Sequence, residues 1–170
     1  MVVVQFDKDG VQYQRKYFIS YPDSVMVMKF TANQSGKQNL ILSYCPNSEA
    51  KSNLRADGKD GLVYTGVLDN NGMKFAFRIK AIHKGGTLEA ENDRLIVKGA
   101  DEVVFLLTAD TDYKMNFNPD FKDPKTYVGN DPEQTTRIMM DQAVQKGYDE
   151  LYRNHEADYT ALFNRVRLQL

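Results

Sequence analysis

Two aspartates, Asp110 and Asp112, follow the most apolar run of the chain, Val103-Val104-Phe105-Leu106-Leu107, and stand where a strand hands over to a loop. Carboxylates in that position can flank a cleft, and hydrolysis of a glycosidic bond needs only two of them. Acidic residues also commonly begin polar loops, so the pair alone assigns no catalysis. Three further stretches invite a calcium reading. Asp7-Lys8-Asp9-Gly10 and Asp69-Asn70-Asn71-Gly72 lack the alternating oxygen ligands and distant Glu of an EF-hand, and Asp/Asn-Gly turns explain both. Asn116, Asn118 and Asp120 alternate better, but Phe121 sits where the sharp-turn glycine belongs. His83 and His155 are the only histidines, and without a matched spacing they do not make a zinc site. His83 reads as a solvated residue in a turn with Lys84-Gly85-Gly86. His155, flanked by Tyr152 and Tyr159 on the inner side of a helix, reads as a hydrogen-bonded structural histidine. Cys45-Pro46 has no signature of thiol activation and reads as a free structural cysteine. There is no Gly-x-Ser-x-Gly, and Gly58, Gly61 and Gly66 lack both the spacing and the following Lys-Ser or Lys-Thr of a phosphate loop. Asn33-Gln34-Ser35 is formally a glycosylation sequon. The sequence therefore assigns no catalytic, metal-binding or cofactor-binding residue and calls for no cofactor.

Composition narrows the function classes. The chain has 170 residues, a length that favours one domain with a sizeable core. Its 22 Lys plus Arg nearly balance 23 Asp plus Glu, for a net charge of −1, so nucleic-acid binding has no electrostatic support. No apolar run approaches the roughly 18 residues of a membrane-spanning helix. Met1-Val2-Val3-Val4-Gln5 has no charged leader and no long apolar stretch, and reads as no signal peptide. A single cysteine excludes an internal disulfide and a Cys-based zinc cluster. Ten Tyr and nine Phe, with no Trp, fall mostly in phase with core faces rather than as stacking platforms for sugars.

The elements that must position these residues divide the chain into three. Residues 1–110 read as an antiparallel β-sandwich portion of about eight strands separated by hairpin-length turns, and the chain opens almost directly on a strand. Met73 to Lys80 alternates, with apolar odd positions and Lys74, Arg78 and Lys80 on the other side, the period of a half-buried strand. Val25 to Met28 and Val103 to Leu107 are apolar on both faces and predict central strands covered above and below. Residues 111–130 read as an ordered, aromatic-rich loop. Residues 131–170 read as two helices and a terminal strand. Asp131 is the N-cap, with Pro132 in the first position and Gln134 at capping-box spacing. Ile138, Met139, Ala143 and Val144 form a narrow apolar face, and Gly147 stops the first helix. Tyr148, Leu151, Tyr152, His155, Tyr159, Leu162 and Phe163 line one side of the second, and Val166, Leu168 and Leu170 alternate as the strand. Such ends, without polar tails, suggest a piece of a longer protein.

Several segments in order carry a resemblance: Tyr13 to Asp23 leading into Val25 to Ala32, then Leu62 to Gly66, Gly72 to Phe75, Val97 to Val103, and His155 to Leu168. Together they resemble the later part of the N-terminal domain of glycoside hydrolase family 95, the α-L-fucosidases and relatives. The resemblance implies a large β-supersandwich joined by a helical linker to an (α/α)6 barrel that carries the inverting machinery, a Glu acid and an Asp with Asn residues. None of those motifs matches this sequence, so no catalytic residue is carried over. It further implies truncation at both ends, a barrel of the parent chain as partner, loops that contact oligosaccharide, and a parent that is exported.

The expectation is a non-catalytic β-domain of a hydrolase of terminal α-L-fucose or α-L-galactose. Its rivals are a free-standing carbohydrate-binding module, a structural partner domain that pairs with another chain or forms a homodimer through Ile138, Met139 and Val144, and a self-contained enzyme built on Asp110 and Asp112.

Overall fold

The computed structural model describes residues 1–45, 50–91, 93–123 and 125–167. Its strands are β1 (Val2–Lys8), β2 (Val11–Ser20), β3 (Val25–Ala32), β4 (Gln38–Ser43), β5 (Ala50–Ala56), β6 (Gly61–Leu68), β7 (Lys74–Lys84), β8 (Thr87–Glu91), β9 (Arg94–Ala100) and β10 (Glu102–Thr111). A helix, α1 (Pro132–Phe163), follows. The strands form two antiparallel sheets, one of seven in the order β1-β2-β3-β10-β7-β6-β5 and one of three in the order β4-β9-β8. The architecture is mainly β and sandwich-like, as the turn spacing predicts. The strand that the hydrophobic pattern misses is β5. Leu54 is its only large apolar side chain, and it is a strand because it completes the sheet edge beside β6.

The middle of the large sheet is covered twice. On one face Val103 and Phe105 pack with Leu62, Ile79, Leu95 and Val97 between the sheets. On the other, Val104 and Leu106 join Phe18, Val25 and Val27 under Met140, Ala143 and Leu151 of α1. Each fully buried large side chain contributes about 1.5–3 kcal/mol. This double burial is the physical reason why β3 and β10 are apolar on both faces.

The same helix layer corrects the reading of β7. The even side of that strand is not a solvated face: Ala76 is buried, and Arg78 is only 5% exposed. Arg78 is tolerated there because its guanidinium pairs with Asp57. Lys74 remains exposed at the strand's start, beyond the helix's cover.

Helix α1 begins as expected, with the Asp131 carboxylate accepting the N–H of Glu133 and Pro132 in the first turn. It is broken at Gly147, whose φ of 72° and ψ of 172° are far from helical, so two helical arms meet there. The apolar phase of the first arm differs from the predicted one. Pro132, Thr136, Met140 and Ala143 face the sheet, while Ile138 is half exposed. Thr136 fits the interior because its hydroxyl bonds the Pro132 carbonyl and its own carbonyl accepts from Thr108. In the second arm Leu151, Tyr148 and Tyr152 pack inward, and Tyr159, Leu162 and Phe163 are exposed. Val166 and Arg167 are irregular rather than a strand, and Leu168 to Leu170 of the predicted terminal strand lie outside the described residues.

The crossing from the large sheet to the small one runs through Gly85-Gly86. Gly86 has φ +65°, and a Cβ there would stand 2.2 Å from the Lys98 carbonyl oxygen, so the two chains pass closer than any side chain allows.

Candidate functional site

The strand register places three connections at one end of the large sheet. Ser20 pairs with Val25 around the β2–β3 turn, Val67 with Lys74 around the β6–β7 turn, and Thr111 at the exit of β10 with Phe75. This end collects exposed rings. Tyr21 is 83% exposed, Phe117 93% and Phe121 86%, and Tyr113 and Met115 are also exposed.

In the loop that carries most of them, residues 112–123 and 125–130 bond to one another. Tyr113 bridges Val128 as an isolated β-pair, and the Tyr113 and Tyr127 rings stack at 5.9 Å. The Lys114 N–H donates to Tyr127 O at 2.7 Å, and the Gly129 N–H donates to Asp112 O at 2.6 Å. The Asn116 amide donates to Thr126, while its oxygen accepts the Asn118 N–H. The Asp120 carboxylate accepts the Lys122 N–H. The alternating oxygens at 116 and 120 are thus engaged in Asx turns. The two chemically suggestive Asp-Gly and Asn-Gly stretches are hairpin turns, with Asp9 at φ 52°, Gly10 at φ 72° and Gly72 at φ 72°.

Asp110 and Asp112 do not converge. The buried Asp112 carboxylate accepts the backbone N–H of Lys74 at 2.9 Å and ties the loop to the start of β7. Asp110 accepts the N–H of Thr111 and lines a small cleft of about 260 Å³ with Lys114 and Asn130. His83 lies exposed on β7 just before the turn rather than in it. Cys45 is exposed, with a free thiol. Among the described residues no three of His, Cys, Asp and Glu gather as a metal centre.

The feature that sequence reasoning misses is the anchor beneath this end. Asp23, in the β2–β3 turn, has a side chain only 2% exposed. It accepts from Ser20 Oγ at 2.5 Å, Lys146 Nζ at 2.6 Å and Asn154 Nδ2 at 3.1 Å. Burial pushes its carboxyl up, but the bonds from Lys146, Ser20 and Asn154 outweigh it and hold the group below its ordinary value. Beside it, His155 is the hydrogen-bonded structural residue its position suggests: Nδ1 meets Ile19 O at 2.9 Å, and the ring stacks on Phe18 at 5.0 Å. A carbonyl partner makes Nδ1 the donor. Both arms of α1 are therefore clamped to the β2–β3 turn, and the second arm projects beyond it with its own exposed apolar residues.

Comparison with known proteins decides what kind of domain this is. Residues 1–116 match a family model described as "Glycosyl hydrolase family 65, N-terminal domain". The chain belongs to this family of N-terminal domains. This glycoside hydrolase N-terminal domain is 27% identical to "Probable alpha-fucosidase A" of Aspergillus niger over 97% of its own length and 21% of that protein's. It is equally 27% identical to "Alpha-L-fucosidase 2" of Arabidopsis thaliana, over 98% of the chain and 22% of the relative. The chain thus spans about a fifth of the length of these curated relatives. In three dimensions it is similar to "Putative kojibiose phosphorylase from human microbiome", with a TM-score of 0.56 over 93% of this chain and 22% of that one. Sequence identity in that pair is 7%, so the likeness is one of fold. These matches make the chain an N-terminal domain of the glycoside hydrolase type, related in sequence to α-fucosidases.

Proposed function

We propose that this chain is a non-catalytic N-terminal β-domain of a family 95-like glycoside hydrolase. Its parent removes terminal α-L-fucose, or α-L-galactose, from oligosaccharides with inversion, and the domain serves as a rigid face against which a helical barrel packs. The observation that carries this reading is the match to two proteins named as α-fucosidases over nearly all of this chain but only a fifth of theirs. The carboxylates support it. Asp112 is spent on a backbone amide, and Asp57, Asp60 and Glu133 are each paired with a cation. Inverting hydrolysis needs one carboxyl free to protonate the leaving group and a second free to activate water, and these four are engaged in structural contacts. The exposed rings of the 112–130 loop and the apolar outer arm of α1 are surfaces of the sort that a second domain covers. The test is hydrolysis of an aryl α-L-fucoside by the 170-residue chain, beside the same residues followed by a helical barrel of the fucosidase type. Turnover is expected only with the barrel. Turnover by the 170 residues alone would overturn the proposal.

A further inference from the structure

Helix α1 packs mainly over β10, β7, β2 and β3, and its first turn reaches the edge strand β5 through the Arg55–Glu133 pair. Register sets three rungs beside it, Lys51–Val67–Lys74, Asn53–Thr65–Ala76 and Arg55–Val63–Arg78, in which Val63, Ala76 and Arg78 form a buried floor and Lys51, Asn53, Arg55, Val67 and Lys74 are exposed. The first turns of α1 rise beside them as a wall. Two cavities result, of about 470 and 360 Å³, which meet at Glu133. Each lies in the size range of small-ligand sites.

The chemistry of the 360 Å³ cavity restricts what fits. Four cations, Arg55, Arg78, Lys80 and Arg137, face four carboxylates, Asp57, Asp60, Glu133 and Asp141. Three opposite pairs are already joined: Arg55 with Glu133, Arg78 with Asp57, and Lys80 with Asp60. A site with cancelling charge has no net field to hold a phosphate or a free carboxylate. It offers alternating donors and acceptors at close range, which is what adjacent hydroxyl groups require. One donor is left over. The Arg78 side chain is only 6% exposed, and its Nε has no hydrogen-bond partner among the described residues. A buried guanidinium N–H without a partner is costly, and a ligand hydroxyl at the cavity wall can relieve that cost directly or through a water. The 470 Å³ neighbour extends the polar floor through Asn53 and Thr65.

We propose that this groove over β5, β6 and β7 binds a neutral saccharide, with the vicinal hydroxyls of one ring held by the paired Arg and Asp side chains and the next ring lying over Asn53 and Thr65. The choice of a sugar among polyols rests on the glycoside hydrolase reading above. The test is backbone-amide NMR of the 170-residue chain titrated with methyl α-L-fucoside and with lactose, against galacturonate and inorganic phosphate as charged comparators. Saturable shifts at Asn53, Arg55, Arg78 and Glu133 with the neutral sugars are expected. Asn53→Ala and Arg55→Ala, both on exposed residues, are expected to weaken binding about tenfold while the melting temperature stays put. No saturable shift, shifts confined to residues 112–130, or tighter binding of phosphate than of sugar at these positions would overturn the groove. Hydrolysis of an aryl fucoside by the same sample would instead overturn only the scaffold reading, so the two failures are distinguishable.

Discussion

The two ends of the large sheet are built from the same kind of antiparallel connections, yet they differ in what they leave in water. At the end where β10 exits, the turns and the 112–130 loop expose Tyr21, Tyr113, Met115, Phe117 and Phe121. At the other end, Asp9-Gly10, Asn33 to Lys37, Asp57 to Asp60 and Gly85-Gly86 make tight polar turns. Each end has its carboxylate clamp. Asp101, at the polar end, accepts from Ser35 Oγ at 2.5 Å and the Gly36 N–H at 2.7 Å, and these bonds hold its carboxyl below the usual range. Asp23, at the aromatic end, does the same work while almost fully buried and joins the sheet to both arms of α1. The polar end closes the sandwich with backbone geometry and is finished. The aromatic end is tied down beneath by Asp23 and apolar on top, and the proposed role as a face for a second domain rests on that arrangement.

Substitutions at the two ends can break this contrast. The largest effect is expected at the polar end, where Gly86→Ala forces a Cβ against the Lys98 carbonyl at positive φ. A loss of at least about 3 kcal/mol is expected, or roughly 6–12 °C in melting temperature. A melting temperature within a degree of the parent would mean that the crossing is not as tight as described.

Next comes Asp23→Ala, which leaves Ser20, Lys146 and Asn154 without their common acceptor. It is expected to cost about 2–3 kcal/mol in urea unfolding at neutral pH. Its sign with pH is fixed. Because the folded-state carboxyl titrates below its ordinary value, near 3.9 for Asp, its contribution is fully present above that value and is lost as pH falls through the lower, folded one. The parent should therefore lose stability on acidification more steeply than the Ala variant. Parallel acid limbs would remove Asp23 as the anchor.

The smallest effect on stability is expected from Phe117→Ala and Phe121→Ala, since both rings are almost wholly in solvent. Each should change unfolding by no more than about 0.5 kcal/mol, yet weaken association with a separately produced fucosidase barrel about tenfold. Unchanged association would leave the aromatic end without a role in domain packing.

Parts of this molecule are legible along the chain because they depend on neighbours in sequence. The hairpin at Asp9-Gly10 follows from residues that accept positive φ. The start of α1 follows from Asp131-Pro132, and its break follows from Gly147. The unbroken apolar runs of Val25 to Met28 and Val103 to Leu107 require cover on both sides. Other features depend on what packs above them. Alternation in β7 makes Arg78 look solvated, and only the helix layer with Asp57 buries it. Ile138 and Met139 look like the inner face of α1, but the angle at which the helix meets β10 selects Met140 and Ala143 instead. Asp110 and Asp112 are suggestive as a pair in sequence, and the fold gives each a separate backbone amide.

The sequence by itself determined the class of structure: an antiparallel sandwich with central strands covered on both faces, followed by a helical segment broken at one glycine. These follow from periodicity, turn chemistry and caps, which act over a few residues. The tertiary structure alone decided which carboxylates anchor and which stay open, because two of the three partners of Asp23 lie 123 and 131 residues away. It also left rings exposed at one end of the large sheet, and Lys51, Asn53 and Val67 exposed on β5 and β6. Where the cover of α1 ends depends on how the helix crosses the sheet, and no local pattern in the sequence marks that point.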